Sequence, residues 1–264
     1  MNTILISTLM VVAIGLFVGL FLGISSKVFE VEVDPKEAAI RNELPGNNCG
    51  GCGEAGCDAL ASKIAKGEAS VNACPVGGDE VAKKIAAILG TEATTSKRKV
   101  AYIKCNGNCL VAKTQYHYSG IQSCSSAKVI GSSSKACQYG CMGLGDCINV
   151  CGFGALYLDK GIVKVDEKKC KACGKCVQAC PNQLIELVPY DASIRVSCHS
   201  SDKGVEARYK CDLSCIGCGV CVKQCPVDAI TVENNLAHID YDKCIHCGKC
   251  SISCPRKCIS VFKD

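Results

Sequence analysis

An apolar run dominates the start of the chain: residues 3–24 read TILISTLMVVAIGLFVGLFLGI without a charge. As a helix at ~1.5 Å per residue they reach about 33 Å, enough to cross a bilayer. Only Met1 and Asn2 precede the run, and no small-residue cleavage pattern follows. Residues 1–26 therefore read as an uncleaved transmembrane anchor rather than a signal peptide. Beyond the anchor the pattern changes. Residues 55–66 and 79–89 read as short helices, the second with an apolar stripe of Val81, Ile85, Ile88 and Leu89 that Gly90 closes. Residues 34–44, starting Asp-Pro, read as a polar tether, and 91–99 as a linker. Further on, 156–158 and 162–165 flank Asp159-Lys160-Gly161, and 230–232 and 236–239 flank Glu233-Asn234-Asn235. Both read as β-hairpins, with 184–188 and 258–262 as closing strands.

Composition changes this picture sharply. The chain has 264 residues, of which 26 are Cys, no Trp, and only 5 Phe and 8 Tyr. So few aromatics cannot build one large conventional core, and disulfides or metal must organise much of the chain. Topology separates the two. Lys27, Lys36, Arg41, Lys63 and Lys66 all follow the anchor and no Lys or Arg precedes it, which puts the remainder in the cytoplasm, with Glu30, Glu32 and Asp34 softening the contrast. That compartment is reducing, so the cysteines read as metal ligands. The formal charge of +5 counts every Cys as neutral. Five four-iron clusters at roughly −2 each would bring it to about −5. No basic run interleaved with aromatics is present, so nucleic acid is not an expected partner.

From residue 124 onward the chain repeats itself. A shift of 74 residues carries Cys124 onto Cys198, Cys137 onto Cys211, Cys141 onto Cys215, Cys147 onto Cys221 and Cys151 onto Cys225. The same shift carries Cys170, Cys173, Cys176 and Cys180 onto Cys244, Cys247, Cys250 and Cys254. Both of these last runs have the spacing C-x2-C-x2-C-x3-C-P, ending at Pro181 and Pro255, and Cys215, Cys218, Cys221, Cys225 and Pro226 give a third. This is the bacterial ferredoxin pattern, in which the fourth Cys of each run ligates the other cluster of the pair. Zinc ribbons use two pairs of Cys instead.

Cross-ligation then predicts the sets. In the second repeat Cys215, Cys218, Cys221 and Cys254 hold one cluster, and Cys225, Cys244, Cys247 and Cys250 the other. In the first repeat Cys151, Cys170, Cys173 and Cys176 hold one. Its partner is irregular, because Leu144 stands where the later repeat has Cys218 and Gly152 where it has Pro226. Read as a motif with a longer loop, Cys137, Cys141, Cys147 and Cys180 hold this cluster. Upstream, Cys49, Cys52, Cys57 and Cys74 supply four thiolates for a separate cluster. Five clusters use 20 Cys. Cys105, Cys109 and Cys124 are candidate ligands of a sixth, with the fourth position open among Cys137, Cys198 and Cys211; buried free thiols are the alternative. Cys258, matching Leu184 across the repeat, fits a small apolar core position. His117, His199, His238 and His246 lack ligand spacing, and no Walker loop or strand-linked G-x-G-x-x-G is present.

The anchor, then NNCGGCGEAGC (47–57) with Cys74-Pro75, then YGCMGLGDC (139–147) and SCIGCGVCVKQCP (214–226), resemble the B subunit of the Rnf complex in its extended, multi-ferredoxin form. The resemblance spans essentially the whole chain. It implies a component of a membrane translocase that oxidises reduced ferredoxin, reduces NAD and moves Na⁺ or H⁺. In that family this component receives the electrons. NAD and flavin belong to other subunits, so no catalytic residue is expected here. The expected fold class is α+β: anchor at 1–26, 4Fe-4S domain at 27–90, linker at 91–99, and ferredoxin-like domains at 100–190 and 191–264. Expected partners are reduced ferredoxin and the other membrane subunits, at the cytoplasmic membrane. A ferredoxin-like subunit of another membrane enzyme, such as a hydrogenase or reductase, is the competing reading.

Overall fold

The computed structural model describes residues 2–28, 34–92, 97–131 and 134–262. Part of the expected linker (93–96) and the acidic residues Glu30 and Glu32 lie outside them. The apolar run forms one helix, α1 (Asn2–Val28). Its 23-residue segment Leu5–Lys27 is long and apolar enough to cross a membrane, and none of its apolar window is buried against the protein.

Three helices follow: α2 (Pro35–Glu43), α3 (Cys57–Ala65) and α4 (Gly78–Leu89). The second and third match the expected helices. The first replaces the expected tether. Asp34 caps it, its carboxylate accepting from Lys36 N at 2.9 Å, and Pro35 takes the first-turn position where its missing N–H costs nothing. Ile40 is then fully buried against Leu60, Ile64 and Ile85, so α2 closes a core of its own with α3 and α4.

The remainder is two copies of one plan. The first contains β1 (Lys99–Ile103), α5 (Cys124–Ile130), α6 (Asp146–Asn149), β2 (Leu156–Asp159), β3 (Ile162–Val165), α7 (Lys175–Ala179) and β4 (Ile185–Pro189). The second contains β5 (Ile194–Val196), α8 (Gly204–Lys210), α9 (Val220–Lys223), β6 (Ile230–Glu233), β7 (Leu236–Ile239), α10 (Lys249–Ser253) and β8 (Ile259–Val261). The two expected hairpins are β2–β3 and β6–β7, both antiparallel. Each closing strand pairs with a strand the hydrophobic pattern did not reveal. β1 runs antiparallel to β4, Lys99 opposite Pro189, and β5 antiparallel to β8, Ile194 opposite Val261. Four of the five residues of β1 and all three of β5 are buried, so neither shows the alternation that marks a half-exposed strand. Within each ferredoxin unit two one-turn helices meet, α6 against α7 and α9 against α10. Each of these four starts behind a glycine in the left-handed region, Gly145, Gly174, Gly219 and Gly248, where a Cβ is disfavoured.

The two copies are joined by a polar seam. Arg195, in the middle of β5, has no exposed surface. Its guanidinium forks onto the Glu167 carboxylate of the first repeat, donates from Nε to Ala192 O at 2.7 Å, and lies 4.6 Å above the Phe262 ring and 5.2 Å above Tyr102. Beside it the Tyr102 and Ser197 hydroxyls are 2.6 Å apart, and Asn106 donates from Nδ2 to Ser260 Oγ at 2.9 Å.

Candidate metal centres

Four cavities open beneath the cysteine runs. Their shared thiol donor set points to one kind of occupant. The first is lined by Cys124, Cys141, Cys147 and Cys180, the second by Cys105, Cys137, Cys198 and Cys211. A third has Cys215, Cys218, Cys221 and Cys254, with Cys258 in its wall, and a fourth Cys151, Cys170, Cys173 and Cys176. The third and fourth bring together sets that the spacing predicts. In the remaining two sets, Cys57 and Cys49 lie near enough to Cys74, and Cys244 and Cys247 to Cys250, to add to the rise that burial causes in those thiols.

The first two cavities rearrange the expected sets. The spacing groups Cys137 with Cys141, Cys147 and Cys180; the structure puts it in the wall of the second cavity, and Cys124 takes its place in the first. Cys109, a candidate ligand of the sixth cluster, is exposed and lines none of the four. Backbone connections explain both placements. Segment 111–115 lies between two others: Lys113 N donates to Lys210 O, Asp212 N to Val111 O, Ala136 N to Lys113 O and Gln115 N to Ser134 O, at 2.7–2.9 Å. This layer carries Cys137 and Cys211 to one cavity. Opposite them Asn106 N donates to Ser197 O at 3.1 Å, holding Cys105 and Cys198 together, each two residues beyond the end of its strand. The second cavity thus takes two thiols from each repeat.

Cys124 reaches the first cavity through Asp146. The Asp146 carboxylate accepts from Cys124 N at 2.8 Å, Ser125 N at 2.9 Å, Ser125 Oγ at 2.9 Å and Ser123 Oγ at 3.1 Å, tying the start of α5 to the residue before Cys147. Burial opposes the charge on Asp146, but the donors from Ser125 and Cys124 outweigh it and hold the carboxyl below its usual value. Replacing Asp146 with Ala releases four donors at once. Asp146→Ala is expected to lose the cluster of this cavity, about four iron atoms per chain, whereas Asp146→Asn, which keeps an acceptor oxygen, retains part of it; iron analysis of anaerobically purified protein reads the difference.

Lys135 is a buried cation in the wall of the second cavity. Its Nζ donates to Gly107 O at 3.0 Å, Cys141 O at 2.8 Å and Gly161 O at 2.8 Å, so it binds the loops of both cavities. Burial pushes the Cys147, Cys176 and Cys198 thiols up to about 12, and Cys211 and Cys221 to about 11. Alone these thiols keep their protons at neutral pH, and a metal must displace them. Backbone N–H groups already face several sulfurs: Ala101 N to Cys170 Sγ at 3.3 Å, Ala229 N to Cys225 Sγ at 3.3 Å and Leu184 N to Cys180 Sγ at 3.4 Å. Such bonds stabilise thiolate charge. Cys258 is buried, as expected of a core position, but its Sγ is also 3.6 Å from Cys254 Sγ.

The donor set discriminates between occupants. A single tetrahedral ion draws its sulfurs to within about 4 Å of one another. Among the described residues no group of three or more Cys, His, Asp or Glu side chains is placed to hold a single ion. In four of the sets the thiols stand around a cavity instead, which fits a polynuclear group with sulfur ligands at its corners.

Comparison with known proteins agrees. A family model for an Fe-S cluster matches residues 44–76, and two models of a 4Fe-4S dicluster domain match 169–229 and 207–255. The B subunit of the Na⁺-translocating ferredoxin:NAD⁺ oxidoreductase complex of Acetobacterium woodii is 48% identical over 261 residues, covering 98% of this chain and 78% of that protein. The chain belongs to this B-subunit family. The B subunit of the ion-translocating oxidoreductase complex of Methanosarcina acetivorans is 43% identical, covering 92% of this chain and 93% of that protein. Its counterpart in the proton-translocating ferredoxin:NAD⁺ oxidoreductase complex of Clostridium ljungdahlii is 39% identical, covering 91% and 85%. Relatives named for Na⁺ and for protons therefore both align along nearly the whole chain. The B-subunit resemblance and the α+β fold class, with its apolar helix, Fe-S domain and two dicluster ferredoxin domains, are borne out. This member of the family is an iron–sulfur electron-transfer subunit.

Proposed function

We propose that the chain holds six [4Fe-4S] clusters and relays single electrons from reduced ferredoxin toward the membrane subunits of an ion-translocating ferredoxin:NAD oxidoreductase. The second cavity carries this reading. Cys105, Cys137, Cys198 and Cys211 come in pairs from the two repeats and join what would otherwise be two separate two-cluster units. The other sets are Cys49, Cys52, Cys57 and Cys74; Cys124, Cys141, Cys147 and Cys180; Cys151, Cys170, Cys173 and Cys176; Cys215, Cys218, Cys221 and Cys254; and Cys225, Cys244, Cys247 and Cys250. A cluster so held supplies one-electron redox chemistry.

The chain's own groups connect neighbouring sets. Cys141 N donates to Cys105 Sγ at 3.4 Å, linking the first cavity to the second. A backbone bond from Cys215 to the Cys198 thiol links the second to the third. Contacts of α6 with α7 and of α9 with α10 join the two sets inside each repeat. The series therefore runs from the Cys151 set through the bridge to the Cys244 set.

The free end of that series is the proposed docking point for ferredoxin. Cys247 and the flanking Ile245, Lys243 and Lys249 are exposed, as is Lys257. Arg256, beside Lys257 in sequence, is not available: its side chain is 15% exposed and donates from Nη2 to Cys211 O at 3.0 Å. Ferredoxins resemble one another in being acidic, and opposite charge speeds encounter in a salt-dependent way. The anchor α1 holds the opposite end of the chain at the membrane, the iron–sulfur domains facing the cytoplasm on the side of Lys27, Lys36 and Arg41.

Deleting residues 1–28 is expected to give a soluble, iron-loaded protein that still takes electrons from reduced ferredoxin. Reversing Lys243, Lys249 and Lys257 to Glu in that protein should slow uptake roughly tenfold or more at low ionic strength, with iron content unchanged. A truncated protein whose iron cannot be reduced at all rejects the relay, and equal uptake rates reject the docking site.

A further inference from the structure

Gly51 is a glycine for a reason its own backbone does not supply. It is absent from the residues with positive φ, unlike its neighbours Gly50 and Gly53. A side chain at Gly51 would not strain the loop. It would instead strike another part of the protein: a Cβ built there lies 2.7 Å from Cys173 O, 3.0 Å from Cys173 Cα and 3.2 Å from its carbonyl carbon. These are backbone atoms, which cannot swing aside as a flexible side chain does. Gly51 sits between Cys49 and Cys52, and Cys173 lines the fourth cavity. The loop that carries two cysteines of the first set thus touches, backbone to backbone, the loop that carries a cysteine of another. The principal helix contacts of the first domain are internal, α2 on α3 and on α4, so this approach is not the by-product of a broad helical interface.

We propose that Gly51 is the positioning residue of an electron junction between the N-terminal Fe-S domain and the first ferredoxin repeat, its missing side chain allowing the two ligand loops to close on each other. The proposal rests on the relay reading above and extends it to the one set that no bond yet connects. One electron crosses. The Cys151 side is oxidised as the Cys49 side is reduced, and no bond is made or broken. Reduced ferredoxin is the reductant and the membrane subunits the oxidant.

The test compares the full-length, iron-loaded chain with Gly51→Val and with Gly152→Ala. The second substitution follows a cysteine of the same junction, and its Cβ meets nothing within 4 Å. Dithionite-reduced samples are examined by EPR for magnetic coupling between the N-terminal cluster and its neighbour, and stopped-flow follows the arrival of electrons at the N-terminal cluster. Parent and Gly152→Ala should show coupling and fast arrival. Gly51→Val should keep the parent's iron content and full reduction by dithionite, lose the coupling, and slow arrival at least tenfold while reduction of the other clusters is unchanged. Unaltered coupling and arrival in Gly51→Val overturn the proposal. An uncoupled N-terminal signal in the parent overturns it without reference to any variant. Clusters that dithionite cannot reduce would instead reject the relay itself.

Discussion

Anaerobically purified chain is expected to carry about 24 iron atoms, four for each of six cubes, and Cys211→Ser about 20. The position of that loss matters more than its size. Cys211 belongs to the cavity shared by the repeats, so the variant divides the relay at its middle. Ferredoxin should still reduce the clusters held by Cys215 to Cys254 and fail to reduce those held by Cys124 to Cys180 and by the N-terminal domain. Three further substitutions identify the set. Cys137→Ser should copy Cys211→Ser. Cys124→Ser should remove the neighbouring cluster, because Cys124 lines the first cavity. Cys109→Ser should change nothing, since its thiol is exposed and faces neither. If Cys137→Ser abolished the same EPR signal as Cys180→Ser, the irregular run would be a ferredoxin motif with a longer loop, and Cys124 would need another role.

Glu167→Ala should be the most destabilising of the charge substitutions. It strips the carboxylate from Arg195, whose side chain is only 1% exposed, while Glu167 itself retains 26% of its side-chain exposure. A guanidinium left buried beneath Phe262 and Tyr102 cannot recover its hydration. Breaking a buried pair from this side costs about 3 kcal/mol, which for a chain of this size corresponds to roughly 6–12 °C in the melting temperature. Arg195→Met should cost less, because the carboxylate left behind reaches water and the new side chain fills apolar space against both rings. Loss of visible cluster absorbance on heating follows both variants. Equal shifts would mean that the attraction between the charges, and not the stranded cation, sets the stability of the seam.

Two of the cavities gather cysteine sets that the spacing predicts, and they do so for a local reason. A C-x2-C-x2-C run folds around its own cavity with little help from distant chain, as Cys170, Cys173 and Cys176 do. The two groupings in which the cavities differ from the spacing depend on partners far away. The shift of 74 residues lays Cys124 on Cys198, yet the residue that occupies the place of Cys198 is Cys105, each lying two positions beyond the end of the strand before it, β5 and β1. The extra length between β1 and α5 hides this correspondence. It also supplies segment 111–115, whose bonds on two sides carry Cys137 away from Cys141. Asp146 is visible beside Cys147, but its bonds to the start of α5 exist only once the chain has brought Ser123 to it. The helix α2 is more accessible: Asp34-Pro35 is a start signal, and Ile40 alone among charged neighbours is too slight a stripe to reveal a buried face.

The bridging cavity has an owner in neither repeat. A single repeat offers two of its four thiols, and two thiols do not enclose a cube. Here both halves are written into one polypeptide, so their ratio is always one to one and their encounter needs no concentration. What in separate molecules would be an assembly equilibrium is here a property of covalent sequence.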